Sequence, residues 1–373
     1  MRIMISAGGT GGGVYPALAV AGALRRLYDD LSLTFVGARG DMARDLVHRA
    51  DVHFDSYHEV LAGPMHGVPR AQQVISTLKI LVGIVQSLAL VLRLRPQVLF
   101  LTGGWVGFPV AVACWLLRRP IVIYVPDIEP GLTLKLLGRF FAHTIAATVA
   151  DTSAFYPGKR VIETGYPLRP EILQARREDG IKALGLDPAR QTLLVFGGSR
   201  GSRSINTAMA RIAPALLDDG AQIVHITGQL DWESVRAQHA ALSDAQRSRY
   251  QIHAFLPDIG QAFAAADLVV SRAGAATLAE YPQHELPAIL VPYPYAWRYQ
   301  KVNADWLVTR GAAVQVEDEH LGEELLPTIR ALFGQPERLR AMREAMAALK
   351  RPDGAENIAR LLATIAAPRS LGR

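Results

Sequence analysis

The sequence predicts an α/β fold built from two similar domains, and three observations carry that prediction. The run Met1–Ile5 has the pattern of a strand, leads into the glycine-rich stretch Gly8–Gly13, and is followed by a helical pattern. The same strand–glycine–helix order returns at Leu193–Phe196 and Gly197–Ser202, about half a chain later. Strand and helix patterns alternate through both halves, which is typical of parallel sheets covered on both faces. We expect the two domains to face each other across a cleft.

Short apolar runs separated by helical patterns define the strands in both halves. The predicted strands are Arg2–Ser6, Leu33–Val36, Val98–Leu101, Ile121–Val125, Thr144–Ala147, Leu193–Phe196, Gln222–Thr227, Tyr250–Ala254, Leu268–Ser271, Ala288–Val291 and Ala313–Val316. Periodicity predicts helices such as Tyr15–Tyr28, and one or two more from Pro336 to Ala366. Glycine and proline in Val161–Pro167 indicate a linker. We therefore expect an N-terminal domain over 1–163, a C-terminal domain over 164–349, and a final helix over about 350–373 that packs back on the first domain.

Composition narrows the class of protein. The chain has 373 residues, of which 50% are hydrophobic and 20% charged, enough apolar material for two packed cores. Its single cysteine, Cys114, excludes an internal disulfide framework and is expected to be a core residue in a reducing compartment. The net charge of +6 leaves phosphorylated substrates and anionic lipid open as partners. The sequence has neither a dense Lys/Arg block nor an aromatic-interleaved motif, so we expect no nucleic-acid partner.

One apolar stretch bears on where the protein works. Ile80–Leu92 is apolar apart from Gly83, Gln86 and Ser87, and basic residues flank it. Spanning a bilayer takes roughly 20 such residues, so this run alone is too short. We interpret it as a buried core helix; a helix resting on a membrane surface, with its basic flanks near lipid headgroups, is the alternative. The chain begins with a strand rather than a signal peptide, which predicts the cytoplasmic side.

The first glycine stretch has the composition of an anion-binding loop. Glycine lets a backbone approach a phosphate closely, and the N–H groups at the start of the next helix point at the anion. The Lys-Ser/Thr ending of a P-loop is absent. A dinucleotide site would carry an acidic residue about 20 positions further on, but the second strand ends in Val36-Gly37-Ala38-Arg39. The stretch therefore favours phosphate binding and disfavours a Rossmann dehydrogenase.

A later loop combines small residues with two polar ones. Arg272-Ala273-Gly274-Ala275-Ala276-Thr277 follows a strand and begins a helix, and its small residues leave room for a ligand. The Thr277 hydroxyl could donate to a phosphate, and Glu280, one turn further on, could bind a ribose diol. The helix dipole also favours an acidic residue in a first turn, which is the alternative explanation of Glu280.

Together these segments resemble the MurG family. Its members are glycosyltransferases that move N-acetylglucosamine (GlcNAc) from UDP-GlcNAc onto lipid I, undecaprenyl-pyrophosphoryl-MurNAc-pentapeptide, to form lipid II for peptidoglycan. The resemblance covers nearly the whole chain. The segments that carry it are Gly8–Gly12 with Val14–Pro16 and Leu18–Ala21, Gly103–Val106, Gly131–Thr133 with Lys135, Thr164–Arg169, Gly197–Gly201, Arg272–Glu280, and Gln300 with Asn303-Ala304. It implies a GT-B fold, in which two Rossmann-like domains with parallel sheets face a deep cleft.

The resemblance also implies which residues bind the two substrates. The C-terminal domain would bind UDP-GlcNAc, with Leu256 at the uracil and Glu280 at the ribose. The other expected donor-site residues are Ser199, Ala275, Ala276 and Thr277 around the diphosphate, Gln300 with Asn303 at the sugar, and Arg169, which could face the donor. Arg272 would be structural. The glycine loop expected against the diphosphate of lipid I consists of Gly9, Thr10, Gly11 and Gly12.

The chain departs from the family pattern at three places. Gly13, expected near the cleft on the donor side, stands where the family usually has a histidine that acts as base or binds the acceptor. Tyr299 replaces the first of two paired glutamines, and Tyr124-Val125-Pro126-Asp127 replaces His-Glu-Gln-Asn. We hypothesise that Asp127 is the catalytic residue that replaces the missing base, worth about 100-fold in rate. An aspartate that merely starts a turn is the alternative.

The implied reaction is inverting: the acceptor hydroxyl attacks the anomeric carbon while UDP leaves from the opposite face. No Asp-x-Asp motif accompanies the donor loops, so we predict no protein metal site, although a divalent cation could assist. The lipid-linked acceptor stays in the bilayer, which predicts peripheral attachment at the cytoplasmic face of the plasma membrane. Basic residues near the apolar stretch would strengthen it, namely Arg70, Lys79, Arg93 and Arg95. Other cell-wall synthesis proteins could also be partners.

Three other functions fit parts of the sequence. A related GT-B transferase would keep the UDP-sugar site and glycosylate diacylglycerol or a small molecule. A UDP-GlcNAc epimerase would need carboxylates and a histidine in the cleft, but His284 and Glu285 have the pattern of loop residues. A catalytically impaired homologue would bind UDP-sugar and act as a scaffold, which Gly13 and Asp127 favour and the intact donor residues oppose.

Overall fold

The computed structural model describes residues 1–8, 11–65, 67–198, 201–294 and 299–367. Contacts divide the chain into two compact units: Met1–Arg169 with Pro352–Arg373 forms the first, and Pro170–Arg351 forms the second. Each unit contains a parallel sheet connected through helices. The predicted α/β class is therefore confirmed for both halves.

The first unit has a parallel sheet in the order β3-β2-β1-β4-β5-β6-β7 over its described residues. The strands are β1 Arg2–Ser6, β2 Ser32–Ala38, β3 Ser56–Val60, β4 Val98–Leu101, β5 Ile121–Val125, β6 Thr144–Ala147 and β7 Val161–Glu163. The helices are α1 Gly11–Leu27, α2 Ala43–Arg49, α3 Arg70–Leu94, α4 Gly107–Leu116, α5 Leu132–Phe140 and, from the C-terminal end of the chain, α16 Gly354–Ala366, with a 3-10 helix at Ala150–Phe155.

In the first unit, the sequence predicted the central strands better than the two edge strands. The strands β4, β5 and β6 are buried throughout, and the prediction gave their bounds to the residue. The two edge strands, β3 and β7, were missed. The interpretation of Val161–Pro167 as a linker is wrong for its first three residues, which pair with β6. These two strands are only partly covered, and they lack the continuous apolar run that marks a central strand.

The final helix belongs to the first unit. Helix α16 packs against α1, and a Cβ atom on Gly354 would lie 2.3 Å from the carbonyl oxygen of Tyr166. The Asn357 side-chain amide donates to the carbonyl oxygen of Thr164 at 3.1 Å. Backbone contact at Gly354 and a polar bond one turn later therefore fix the start of this helix on the first unit.

The second unit has a parallel sheet in the order β10-β9-β8-β11-β12-β13 over its described residues. The strands are β8 Thr192–Phe196, β9 Gln222–Ile226, β10 Tyr250–His253, β11 Leu268–Ser271, β12 Ala288–Leu290 and β13 Ala313–Gln315. The helices are α6 Pro170–Gln174, α7 Arg177–Ala183, α8 Arg203–Asp218, α9 Trp232–Ala240, α10 Asp244–Arg247, α11 Ile259–Ala265, α12 Thr277–Gln283, α13 Tyr299–Thr309, α14 Leu321–Phe333 and α15 Pro336–Ala348, with a 3-10 helix at Asp318–His320.

Helix α3 corrects the interpretation of the apolar stretch as a buried core helix. The helix has 25 residues and is long and apolar enough to cross a membrane, by length and composition only. Its large apolar side chains point outward: Val74 is 63% exposed and Val85 is 66% exposed. Its five buried residues are the small Ser76, Gly83 and Ser87 together with Ile80 and Val91. A core helix would bury its large apolar side chains, but in this helix most of them lie on the outer face.

Replacing Gly83 by alanine should destabilise the first unit. A Cβ atom there would lie 2.0 Å from the carbonyl oxygen of Leu61, so helix or backbone must move. We expect a loss of about 1–3 kcal/mol in the free energy of unfolding, measured by urea denaturation. The matched control is Gly322→Ala in α14, where the added Cβ meets open space. Equal stability of the two variants would contradict this packing.

Candidate functional site

The carboxyl ends of the second sheet gather the loops that the sequence predicted to bind a ligand. Gly197–Ser202 follows β8, Arg272–Ala276 follows the neighbouring strand β11, and Pro292 follows β12. In open parallel sheets, ligands bind beyond the carboxyl ends of the strands. This edge is therefore the candidate donor site of the second unit.

The loop after β8 is a tight glycine turn. Gly198 and Gly201 have φ of +90° and +78°, values that side chains rarely adopt. A Cβ on Gly201 would lie 2.1 Å from the carbonyl oxygen of Thr227, so this loop lies directly against the segment after β9. Helix α8 begins two residues later, which suits the loop to an anion. The predicted diphosphate residue Ser199 lies outside the described residues.

In the loop after β11, two predicted ligand residues hold the backbone. The Thr277 hydroxyl donates to the carbonyl oxygen of Gly274 at 2.6 Å. The fully buried Asn303 donates its side-chain amide to the carbonyl oxygen of Ala273 at 3.1 Å. A Cβ on Gly274 would meet open space, so the outer side of this loop has room for a ligand.

Arg272 connects four segments of this edge. Its guanidinium lies 2.5 Å from the Asp318 carboxylate and donates to the Ser204 hydroxyl at 2.8 Å and to the Val291 carbonyl at 3.1 Å. Ser204 in turn donates to Asp318 at 2.6 Å. The side chains of Arg272 and Asp318 are only 11% and 18% exposed. The segments after β11, β12 and β13 are thus joined to the start of α8, and the expected structural role of Arg272 gains support.

Sequence reasoning missed two members of this cluster, Ser204 and Asp318. Neither lies in a glycine loop or beside an apolar run, and Asp318 is 114 residues from Ser204. Only the fold brings them together. The arginine itself was found because it begins the small-residue loop.

The other predicted donor residues spread along the same edge. Glu280 lies in the first turn of α12 and is partly exposed. Gln300 accepts a hydrogen bond from the backbone N–H of Tyr293 at 2.9 Å, and the Arg272 guanidinium lies over the Tyr293 ring at 5.3 Å. Leu256 follows β10 at the far side of the sheet. Ala275 and Ala276 are partly exposed, as a ligand contact requires.

In the first unit, the predicted acceptor loop leads into α1. Gly11, Gly12 and Gly13 form its first turn, whereas Gly9 and Thr10 lie outside the described residues. The Thr102 hydroxyl donates to the carbonyl oxygen of Gly13 at 2.7 Å. A Cβ at position 13 would meet its nearest neighbour at 3.4 Å, an ordinary contact. The backbone therefore leaves space for a side chain where the family usually has histidine.

A chain of hydroxyl groups supports the backbone before Asp127. The Thr148 hydroxyl donates to the carbonyl oxygen of Pro126 at 2.8 Å, so the fully buried Tyr124 hydroxyl, 2.8 Å away, must donate to Thr148. Burial raises the pKa of Tyr124 well above its ordinary value, and the negative charge of Asp127 adds to that shift. The Asp127 carboxylate is thus close enough for its charge to act on Tyr124.

The structure also places three other residues that the sequence analysis discussed. Arg169 lies in the first unit, where its guanidinium stacks over the Tyr15 ring at 5.0 Å. Cys114 is fully buried, and burial raises the pKa of its thiol to about 12. His284 follows α12, and burial, with a smaller effect of Lys350, lowers its pKa to about 4.

Among the described residues, no three side chains of His, Cys, Asp or Glu are grouped to hold a metal ion.

Comparison with known proteins identifies the family. The glycosyltransferase family 28 N-terminal domain matches residues 3–146, and the family 28 C-terminal domain matches residues 192–358. A UDP-N-acetylglucosamine–N-acetylmuramyl-(pentapeptide) pyrophosphoryl-undecaprenol N-acetylglucosamine transferase from Desulforudis audaxviator is 36% identical over 98% of this chain and 99% of its own. The chain belongs to the MurG family. The transferase of the same name from a Roseiflexus species is 37% identical over 98% of this chain and 95% of its own.

Solved structures agree with the MurG fold. The MurG of Acinetobacter baumannii is 25% identical, with a TM-score of 0.75 over 97% of this chain and 99% of its own. A putative UDP-N-acetylglucosamine 2-epimerase from Listeria monocytogenes is 15% identical, with a TM-score of 0.72 over 98% of this chain and 95% of its own. That identity shows a common fold alone, whereas the MurG relatives are similar in sequence over nearly the whole chain. Two Rossmann-like domains of the GT-B type are therefore confirmed.

Removing the carboxylate of Asp318 should weaken both stability and donor binding. The variant Asp318→Ala leaves the Arg272 guanidinium without its carboxylate partner in a mostly buried position. We expect a loss of about 2–4 kcal/mol in the free energy of unfolding, together with a higher KM for UDP-GlcNAc. Denaturant titration and steady-state kinetics measure the two effects.

The matched control for Asp318→Ala is Glu233→Ala, which breaks an exposed ion pair with Arg236 on α9. Exposed pairs contribute little to stability. If the two variants were equally stable and shared the wild-type KM, the cluster would have no role in holding the loops.

Proposed function

We propose that this chain transfers GlcNAc from UDP-GlcNAc to the muramyl sugar of lipid I and so forms lipid II in peptidoglycan synthesis. The observation that carries this proposal is 36% identity over 98% of the chain to a transferase named for that reaction. The similarity includes both halves of the protein, so it includes the donor half and the acceptor half.

The geometry of the second unit suits it to hold UDP-GlcNAc. The departing UDP carries developing negative charge, and preorganised backbone N–H groups stabilise such charge. The loops after β8 and β11 would present these groups, since Gly201 and Asn303 fix their backbones. We assign Glu280 to the ribose, Leu256 to the uracil and Gln300 to the sugar. Ala275, Ala276 and Thr277 would surround the diphosphate.

We assign the general base of the acceptor hydroxyl to Asp127. Position 13 is glycine, so the family's histidine is unavailable there. Asp127 directly follows the backbone that Tyr124 and Thr148 support through hydrogen bonds. A base must be held in a fixed position near the proton that it removes, and this support supplies part of that positioning.

The protein would reach its lipid-linked acceptor through an apolar face of the first unit. We define the apolar face by Val74, Leu78 and Val85 on α3, Trp115 on α4 and Phe140 on α5, which are all exposed. Helix α3 packs on α4, and α4 packs on α5. The small residues of α3 lie against the domain, so the helix would lie along the membrane surface instead of crossing the membrane.

Charge and redox state favour the cytoplasmic face of the plasma membrane. The basic residues at the surface of α3 and just after it are Arg70, Lys79, Arg93 and Arg95. Each would contribute about 1 kcal/mol near an anionic leaflet. Cys114 is a free thiol, which is typical of a reducing compartment. This arrangement supports peripheral attachment to the membrane by apolar and electrostatic interactions together.

A direct assay tests the function. Purified protein is given radiolabelled UDP-GlcNAc with lipid I, with diacylglycerol or with no acceptor. We expect label in lipid II alone. Label in glucosaminyl-diacylglycerol would support the related GT-B transferase instead. UDP binding by calorimetry without transfer to either lipid would support a catalytically impaired homologue.

The variant Asp127→Asn should lose the acid limb of the pH–rate profile. The base acts only when deprotonated, so the wild-type rate should fall as pH falls and the carboxyl group becomes protonated. The amide has no such titration, and we expect kcat to drop about 100-fold with little change in the KM for UDP-GlcNAc. Tyr124→Phe should lower kcat less and keep the acid limb. A full-rate Asp127→Asn enzyme at every pH would reject this assignment.

Polar substitutions on the apolar face should release the protein from vesicles. For Leu78→Ser with Val85→Ser, we expect a several-fold smaller fraction to float with anionic liposomes, because apolar burial drives interfacial binding. The control Leu230→Ser changes a side chain of the second unit that is 71% exposed. Flotation that is the same for both variants and the wild type would remove the apolar face from the membrane contact.

A further inference from the structure

A pocket of about 330 Å³ lies in the second unit, away from the proposed donor site. Its walls are the loop 188–191 before β8, Asp267 just before β11, the beginning of α7 and the first half of α15. The pocket therefore lies at the amino ends of β8 and β11, whereas the donor loops follow their carboxyl ends. Strands of this length place the two regions about 15 Å apart. A ligand here would not occupy the donor site.

The inner part of the pocket holds more positive than negative charge. Asp267 accepts hydrogen bonds at one carboxylate oxygen from both Arg177 and Arg343, each at 2.9 Å. Its other oxygen accepts from the backbone N–H of Thr192 at 2.8 Å. Among the described residues that line the pocket, Asp267 is the single acidic side chain. One carboxylate balances only one of the two guanidinium groups.

The pKa of Arg343 is lowered from its ordinary value. Burial lowers the pKa of its guanidinium, and the like charge of Arg177 lowers it further, against the opposing effect of Asp267. Glu285 also acts on Arg343, but it lies near Lys350, 3.9 Å away. An additional anion between the two guanidinium groups would therefore be stabilised.

Two more arginines lie at the rim of the pocket, Arg190 and Arg340. Each pairs with a carboxylate three residues away, Asp187 and Glu337, and these partners are 47% and 79% exposed. Arg340 also lies 3.9 Å from Glu344, which is 74% exposed. Ion pairs between exposed groups contribute only about 0–1 kcal/mol. A doubly charged ligand can therefore attract both guanidinium groups away from these partners at small cost.

The remaining wall is apolar apart from Gln191. Pro188, Ala189, Pro336 and Leu339 lie beside the four arginines. Guanidinium groups match the oxygens of a phosphate with paired hydrogen bonds. The pocket volume is within the range of small-molecule sites. We propose that this pocket binds an organic phosphate, with the phosphate between the arginines and the organic part against the proline and leucine wall.

The test uses the full-length protein with its donor site filled by saturating UDP. Adenosine monophosphate and inorganic phosphate are titrated separately by calorimetry. We expect one site for adenosine monophosphate, and weaker binding of phosphate because it lacks the apolar contact. Absence of binding by both probes in the presence of UDP overturns the proposal.

The double variant Arg190→Gln with Arg340→Gln should weaken adenosine monophosphate binding about 100-fold or more, because it removes two charge-assisted hydrogen bonds and each is worth about tenfold in affinity. The control Arg236→Gln removes an arginine of the same unit that is likewise in an exposed i,i+3 pair. It should bind like the wild type. Equal weakening by both changes would mean adventitious anion binding at a basic surface, and would overturn the proposal.

A third variant has an effect of opposite sign. Asp267→Asn removes the carboxylate that competes with the ligand for Arg177 and Arg343, so adenosine monophosphate should bind more tightly. Weaker or unchanged binding with an intact circular dichroism spectrum would place the ligand elsewhere. The double variant should retain lipid II synthesis, since neither of its arginines lies at the donor edge.

Discussion

The carboxyl edge of the second sheet depends on one largely buried ion pair, Arg272 with Asp318. Burying either charge alone would be costly, and together with Ser204 they satisfy each other at short distances. The ion pair joins loops after separate strands to the start of α8. The shape of the surface that would receive a diphosphate is therefore fixed before any ligand binds. Preorganisation of this kind is what makes electrostatic stabilisation of a leaving group effective.

The fold could be predicted where burial decides the sequence. Strands β4 to β6 are covered on both faces, and the resulting apolar runs give their bounds directly. The edge strands β3 and β7 of the first sheet carry no such signal, and β7 was taken for a linker. The edge strands β10 and β13 of the second sheet were predicted to within one residue at each end. Helix α3 shows a different limit: periodicity shows that a helix has two faces, but the identity of the inner face depends on what packs there. At Gly83 the partner is a backbone carbonyl, which excludes a side chain at that position.

The candidate site divides in the same way. Glycine loops and the small-residue loop could be found because backbone conformation and helix starts leave local signals, as at Gly198 and Gly201. Side chains whose contacts lie far away in the sequence leave no local signal, and Asp318 was missed for that reason. The roles expected for Thr277 and Asn303 at the ligand remain predictions. In the structure both hold the loop backbone, a role that a motif cannot distinguish from ligand contact.

The reversed arrangement of α3 has a consequence for handling the protein. In water, the outer side of this helix is an exposed apolar surface, and exposing such a surface to water is unfavourable. Lipid, detergent or another copy of the chain would cover that surface and remove it from water. The melting temperature and the apparent size of the protein should therefore depend on the concentrations of amphiphile and of protein. Oligomeric state and stability are then set by the solution conditions as well as by the sequence.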